Sequence, residues 1–227
     1  MPTGAHGLRE HGFAPVVLPP VPAAVTAGFR DHPYRTLRLR MSWTADDDWL
    51  FQYVPPSGAP APGGPVRDLA DRRLAAGLGS LLRRTLSGPW LDVHADWLIT
   101  LHRTRAAAPA GTTIRVDQPH PISSECEFTL LALLGREGEG SLRSRLHGPA
   151  GTSETALRPG QGLLLDRRTV TDDLHELLAG PGGPVTQDLL TAHLSPAADP
   201  PASALRIRPM LVRGPAGTLI HTRPALR

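Results

Sequence analysis

The stretch QPHPISSECEFTLLALLGREGEGSLRSRLHGPAGTSETALRPGQGLLLDRR, residues 118–168, decides the fold. It holds two apolar runs, Phe128-Thr129-Leu130-Leu131-Ala132-Leu133-Leu134 and Leu163-Leu164-Leu165. Between them lie a glycine-containing turn at 135–140, a polar strand candidate at 141–147, a second turn at 148–151, and Arg158-Pro159-Gly160-Gln161-Gly162. Short strands at this spacing, broken by Gly and Pro, predict a β-sandwich or barrel. A Pro-Gly turn feeding an apolar strand fits the jelly-roll class, in which a small ligand binds in the barrel mouth.

The rest of the chain narrows the setting. At 227 residues it is long enough for one domain with a real core, expected here over 1–227 with an N-terminal strand and helix extension. All 24 basic residues are Arg, and there is no Lys and no Asn, the codon bias of a GC-rich, bacterial genome. A net charge of +3, no block of five like charges, and only four Phe and two Tyr to stack on bases argue against a nucleic-acid partner. The single cysteine, Cys126, cannot close an internal disulfide. It stands between Glu125 and Glu127, whose charges are expected to raise its pKa. No signal peptide is visible and no apolar run approaches the ~20 residues that cross a bilayer, so no membrane partner and a cytoplasmic location are expected.

Outward from the central stretch, residues 1–10 read as loosely ordered and 11–19 as an edge strand marked by Pro15. Residues 21–29 form a modest helix candidate. Residues 35–40 alternate, with Leu37, Leu39 and Met41 on one face. They pair with 49–54 across a turn containing Asp46, Asp47 and Asp48. Residues 66–86 form the clearest helix, with a stripe of Leu69, Arg73, Ala76, Leu78, Leu81, Leu82 and Leu86. Residues 90–105 contain one long strand; alternation puts Trp97, Ile99, Leu101, Arg103 and Arg105 on one face and Leu98, Thr100, His102 and Thr104 on the other. Residues 106–111 read as a loop, 112–116 as a short strand, and 185–194 as an inserted helix or strand. Residues 205–212 read as the last good strand, with 218–222 hairpinning back to it.

In their order, His102-Arg103-Thr104-Arg105, residues 118–136, residues 157–168 and Arg208-Pro209-Met210-Leu211-Val212 resemble the bacterial 2-oxoglutarate/iron(II) dioxygenases that hydroxylate free amino acids, such as the isoleucine hydroxylases. The likeness runs from about Gly12 to Val212. It implies a mainly β fold with flanking helices (α+β), a double-stranded β-helix of the jelly-roll, cupin-like kind. By the same resemblance His102 and Arg105 line the cavity, and Arg208 holds the distal carboxylate of 2-oxoglutarate. The family's iron ligands do not carry over in place. Anchored on Phe128 and Arg136, its first His falls on Ile122 and its carboxylate on Ser124; anchored on Leu165, Asp166 and Val170, its second His falls on Asp172. The facial two-His-one-carboxylate set is therefore not visible at its expected positions.

Two readings follow. In the leading one the chain keeps the pocket without iron and needs no cofactor. It is then either a pseudoenzyme or a metal-free catalyst on an acidic small molecule. Asp172, Asp173, His175 and Glu125 serve as acid or base, and Arg105 and Arg208 as anion anchors. In the alternative, iron(II) and 2-oxoglutarate are bound, with His120, Glu125 and His175 as displaced metal ligands. A cupin-like binding module without chemistry is a third reading. In each the partner is a small acidic or amino-acid-like molecule, and a homo- or hetero-dimer is compatible with the sequence.

Overall fold

A computed structural model of the chain describes residues 4–26, 34–44, 46–54, 64–86, 91–116, 125–170, 172–197, 210–213 and 219–222. In chain order the elements are α1 (Gly4–His11), β1 (Phe13–Val17), α2 (Ala23–Thr26), β2 (Tyr34–Trp43), β3 (Trp49–Tyr53), α3 (Gly64–Thr85), β4 (Trp97–Ala108), β5 (Thr113–Arg115), β6 (Phe128–Glu137), β7 (Gly140–Gly148), β8 (Gly151–Leu157), β9 (Gln161–Asp166), β10 (Asp172–Ala179), β11 (Val185–Pro196), β12 (Met210–Arg213) and β13 (Leu219–Thr222).

Strands β4 to β11 wind between two sheets. β4, β6, β9 and β11 lie in a seven-stranded sheet of order β1-β9-β6-β11-β4-β2-β3, and β5, β7, β8 and β10 in a four-stranded sheet of order β5-β10-β7-β8. Their pairings are antiparallel. This back-and-forth winding is a double-stranded β-helix, so the expected fold class holds. β1 extends the large sheet at one edge through pairing with β9, and β2 and β3 extend it at the other.

Residue pattern explains the layering. β6 is buried on both faces: Phe128, Leu130, Ala132 and Leu134 join the core that includes α3, while Leu131 and Leu133 join Leu142, Leu146, Leu163, Leu165 and Leu189 between the sheets. β7 alternates instead, with Leu142, Ser144 and Leu146 buried and Arg143 and Arg145 exposed, because the four-stranded sheet turns its outer face to solvent. On α3 the buried positions are Leu74, Leu78, Leu81 and Leu82, spaced i, i+4, i+7 and i+8, with Ala75 beside them. Arg73 and Ala76, placed in the stripe by sequence, face solvent. At Gly79 the helix approaches β3 so closely that an added Cβ would lie 3.0 Å from Phe51.

The chain divides into two compact units, Met1–Ala197 and Ala198–Arg227. The first contains both large sheets. In the second, β12 and β13 form a two-stranded antiparallel hairpin. The strand that completes the β-helix is β11, a segment whose sequence reads equally as an inserted helix. The segment expected to be the last barrel strand contributes β12, paired with β13. Residues 106–108, read as loop, continue β4, and residues 4–11, read as loose, form α1.

Candidate functional site

The functional region is set by which side chains face the space between the sheets at one end of it. There β4 and β6 begin, β9 and β11 end, and β10 begins. Facing inward from the large sheet is a polar strip. His102 lies opposite Thr36 on β2 and Thr191 on β11; His193, one inward step along β11, lies opposite Thr100 on β4 and Thr129 on β6. His102, Thr129, Thr191 and His193 are all buried. Thr36 Oγ1 is 3.1 Å from His102 Nδ1, Thr129 Oγ1 is 3.0 Å from His193 Nδ1, and the two imidazole rings meet edge to face at 5.5 Å. Arg167, on the turn after β9, donates Nε–H to Thr129 Oγ1 at 3.0 Å. Thr129 Oγ1 thus joins the Arg167 guanidinium to the His193 ring. Leucines fill the equivalent inward positions 131, 133, 163 and 165. Burying polar groups in their stead is favourable only with partners made, and this strip makes them.

Cys126 closes the strip. Its Sγ is 3.1 Å from the Phe128 carbonyl, 3.7 Å from Thr129 Oγ1 and 3.9 Å from His193 Nδ1. Its pKa is raised, as the sequence leads one to expect, but the first cause is burial rather than the flanking glutamates; Thr129, Arg167 and two backbone hydrogen bonds oppose the shift. The thiol therefore stabilises the fold fully below the unfolded pKa of about 8.5. That contribution is lost as pH rises through the higher folded pKa. At pH 8 the native chain is expected to react with iodoacetamide at least about tenfold more slowly than the guanidinium-unfolded chain; equal rates would contradict the burial.

From the small sheet His175 also faces between the sheets. It is buried on β10, directly opposite Ser144 on β7, and its Nδ1 lies 2.9 Å from Ser144 Oγ. Its backbone carbonyl accepts from Val116 N–H at 2.8 Å, which ties the end of β5 beside it.

Gln187 on β11 is fully buried, and neither its Oε1 nor its Nε2 has a hydrogen-bond partner among the described residues. An unmade buried hydrogen bond costs ~1–3 kcal/mol, so the position has a cost that a leucine there would not. Beside it the β11–β6 register shifts between Asp188 and Leu189, a bulge on β6 at Leu134.

The sequence-predicted residues distribute unevenly over this arrangement. His102 and His175 face the inter-sheet space, as described. Arg105 does not: it shares the α3-facing side of β4 with Ile99 and Leu101. There it grips Asp188 in a bidentate pair, Nε to Oδ1 at 2.6 Å and Nη2 to Oδ2 at 2.9 Å, with Glu137 at 3.6 Å. That hydrogen bond raises the Arg105 pKa further. The arginine expected to anchor a ligand is instead neutralised by the residue opposite it on β11. Glu125 is exposed, three residues before β6. Asp172 and Asp173 open β10, paired with His147 and Leu146 of β7. His120 and Arg208 lie outside the described residues. Sequence reasoning missed His193, Thr129, Arg167 and Gln187. The signal for His193 and Gln187 is their even spacing on 185–194, which places them on one face when that segment is a strand, one of the two forms its sequence allows.

No family model and no curated protein matches the chain. Solved structures do. The crystal structure of IDO from Bacillus thuringiensis is 12% identical, with a TM-score of 0.58 over 86% of this chain and 94% of that one. An oxidoreductase of the 2OG-Fe(II) oxygenase family from Burkholderia pseudomallei is 15% identical, with a TM-score of 0.40 over 84% and 88%. A Pseudomonas putida prolyl-4-hydroxylase is 16% identical, with a TM-score of 0.39 over 85% and 97%. The likeness to IDO establishes a shared fold. The expectation that the chain works without a cofactor is corrected by these comparisons. The solved structures that it matches include ones described as a 2OG-Fe(II) oxygenase and an Fe(II)/(alpha)ketoglutarate-dependent dioxygenase, and the expectation of no cofactor is set aside.

Proposed function

We propose that the chain is an iron(II)- and 2-oxoglutarate-dependent oxygenase of bacterial small-molecule metabolism. It acts in the cytoplasm on an acidic or amino-acid-like molecule, with His175 as a metal ligand and His120 and Glu125 completing the set. The observation that supports this most is His175 itself. A metal-ligating histidine is oriented by a hydrogen bond to its other ring nitrogen, and His175 has its Nδ1 held by Ser144, inside the β-helix, at the end where β10 begins.

The fit of iron(II) to the described residues extends to this one ligand. Among them no three His, Cys, Asp or Glu side chains come together, and Glu125 is exposed. When bound, the metal would supply the activation of oxygen. The chain's own residues orient and exclude. The His102–His193–Thr129 strip presents fixed polar groups to one wall, and the leucines between the sheets exclude water from the rest. The reading is tested by 2-oxoglutarate turnover to succinate with iron(II) and a panel of free amino acids. The expected result is substrate-stimulated succinate formation that falls on the order of a hundredfold in His175→Ala. Turnover unchanged in that variant would remove His175 from the centre.

A further inference from the structure

We propose that Gln187 is the recognition residue of a small-molecule site between the two sheets, and that its ligand presents an amide-like edge, a hydrogen-bond donor and acceptor side by side.

Position comes first. Ala108 on β4, Leu177 on β10 and Val185 on β11 pack together between the sheets. One inward-facing step along each strand from that floor stand Ala106, His175 and Gln187. Val116, whose N–H bonds the His175 carbonyl, and Ala106 both pack against this floor and against the leucine cluster above it. Gln187 on the large sheet and the His175–Ser144 pair on the small sheet thus occupy one level of the β-helix, between two apolar layers. The small side chain of Ala106 lies opposite Gln187 on β4; on β6 the residue opposite Gln187 is Arg136, two residues from the bulge at Leu134.

Chemistry selects the ligand. A glutamine amide offers one acceptor and two donors, and here both Oε1 and Nε2 are without a partner among the described residues. A carboxylate would accept from Nε2 but set its own lone pairs against Oε1. Of the arginines on the strands beside Gln187, Arg105 is held by Asp188 and Arg136 reaches the Gly140 carbonyl, while Arg103 lies with Ile99 and Leu101 on the α3-facing side of β4. A primary amide or similar edge satisfies both atoms of Gln187, and an aliphatic remainder matches the Leu, Val and Ala walls. The oxygenase reading supplies what would be done to such a ligand; its binding does not depend on that reading.

The test uses the full chain in EDTA, so that a failure of metal chemistry is not mistaken for a failure of this site. The probes are isobutyramide and its isosteric carboxylate, isobutyrate, followed by ligand-observed NMR and calorimetry. Isobutyramide is expected to bind the wild type at least about tenfold more tightly than isobutyrate, a difference of ~1.4 kcal/mol. Gln187→Met, which removes the orphaned atoms at similar volume, is expected to melt about 2–4 °C higher and to lose isobutyramide binding. Because the chain has only four glutamines, selective ¹⁵N-glutamine labelling reads the Gln187 side-chain amide directly in the wild type. Its signal is expected to shift with isobutyramide, which keeps the test intact should the variant fold poorly. Isobutyramide binding that is absent, or equal in Gln187→Met, or no stronger than isobutyrate, would overturn the proposal and leave Gln187 as a buried amide satisfied by water only.

Discussion

Phe128→Ala is expected to destabilise the chain by ~3–5 kcal/mol and to lower its melting temperature by roughly 10 °C. Phe128 is the first residue of β6 and is almost fully buried. Its ring lies 5.8 Å from that of Trp97, the first residue of β4, and the Arg168 guanidinium sits 4.9 Å from its centroid. Arg168 is in turn held by Asp166 in a bidentate pair, 2.9 Å on each arm, and reaches Glu127 at 3.2 Å. One truncation therefore opens a cavity in the larger core and removes the surface on which the turn leading to β10 is stacked. Phe128→Leu, which keeps most of the volume, is expected to cost under about 1.5 kcal/mol. Thermal melts followed by circular dichroism compare the two. A loss below about 1 kcal/mol for the alanine variant would show that β6 does not enter the core at this point.

Asp188→Ala is the second large effect, expected at about 3 kcal/mol. Asp188 and Arg105 are largely buried, with side-chain exposures of 15% and 17%. The cost arises from stranding the Arg105 cation, with Glu137 at 3.6 Å as its remaining acidic neighbour among the described residues, more than from the strength of the pair itself. Replacing both at once, Arg105→Met with Asp188→Leu, is accordingly expected to be near neutral. The same double variant decides whether Arg105 is structural. If the pair only joins β4 to β11, 2-oxoglutarate affinity is unchanged in it; a loss of affinity there would restore the anion-anchoring role that the sequence resemblance implies.

The parts of this molecule that sequence exposes are those in which both sheet faces are apolar. The runs at 128–134 and 163–165 become β6 and β9, interior strands of the large sheet; their separation by short polar strands points to a sandwich or barrel, and the β-helix itself is what the family resemblance implies. β11 was obscured because it, too, is buried on both faces, but by mixed residues. Gln187, Leu189, Thr191 and His193 point between the sheets while Leu190, Ala192 and Leu194 point toward α3, so neither a period of two nor an apolar run survives. β8, GTSETAL, carries almost no apolar side chain because one of its faces is solvent and the strand is an edge. Arg105 illustrates a different limit. Alternation sorted it onto one face of β4 correctly, but no local rule says which face meets the other sheet, and its partner Asp188 lies 83 residues away. The raised Cys126 pKa was legible in direction and not in cause, since burial depends on β11 and the turn after β9 rather than on neighbours in sequence.

The claim at the centre is that His175 holds a metal inside this β-helix, and manganese(II) binding tests it most directly. Titration of the purified chain with manganese(II) in the presence of 2-oxoglutarate, followed by electron paramagnetic resonance, is expected to show one site whose affinity falls at least about tenfold in His175→Ala. Affinity should be retained in the Arg105→Met, Asp188→Leu double variant. No stoichiometric binding by the wild-type chain, or equal binding with and without His175, would contradict the account and leave the fold as a scaffold for binding alone.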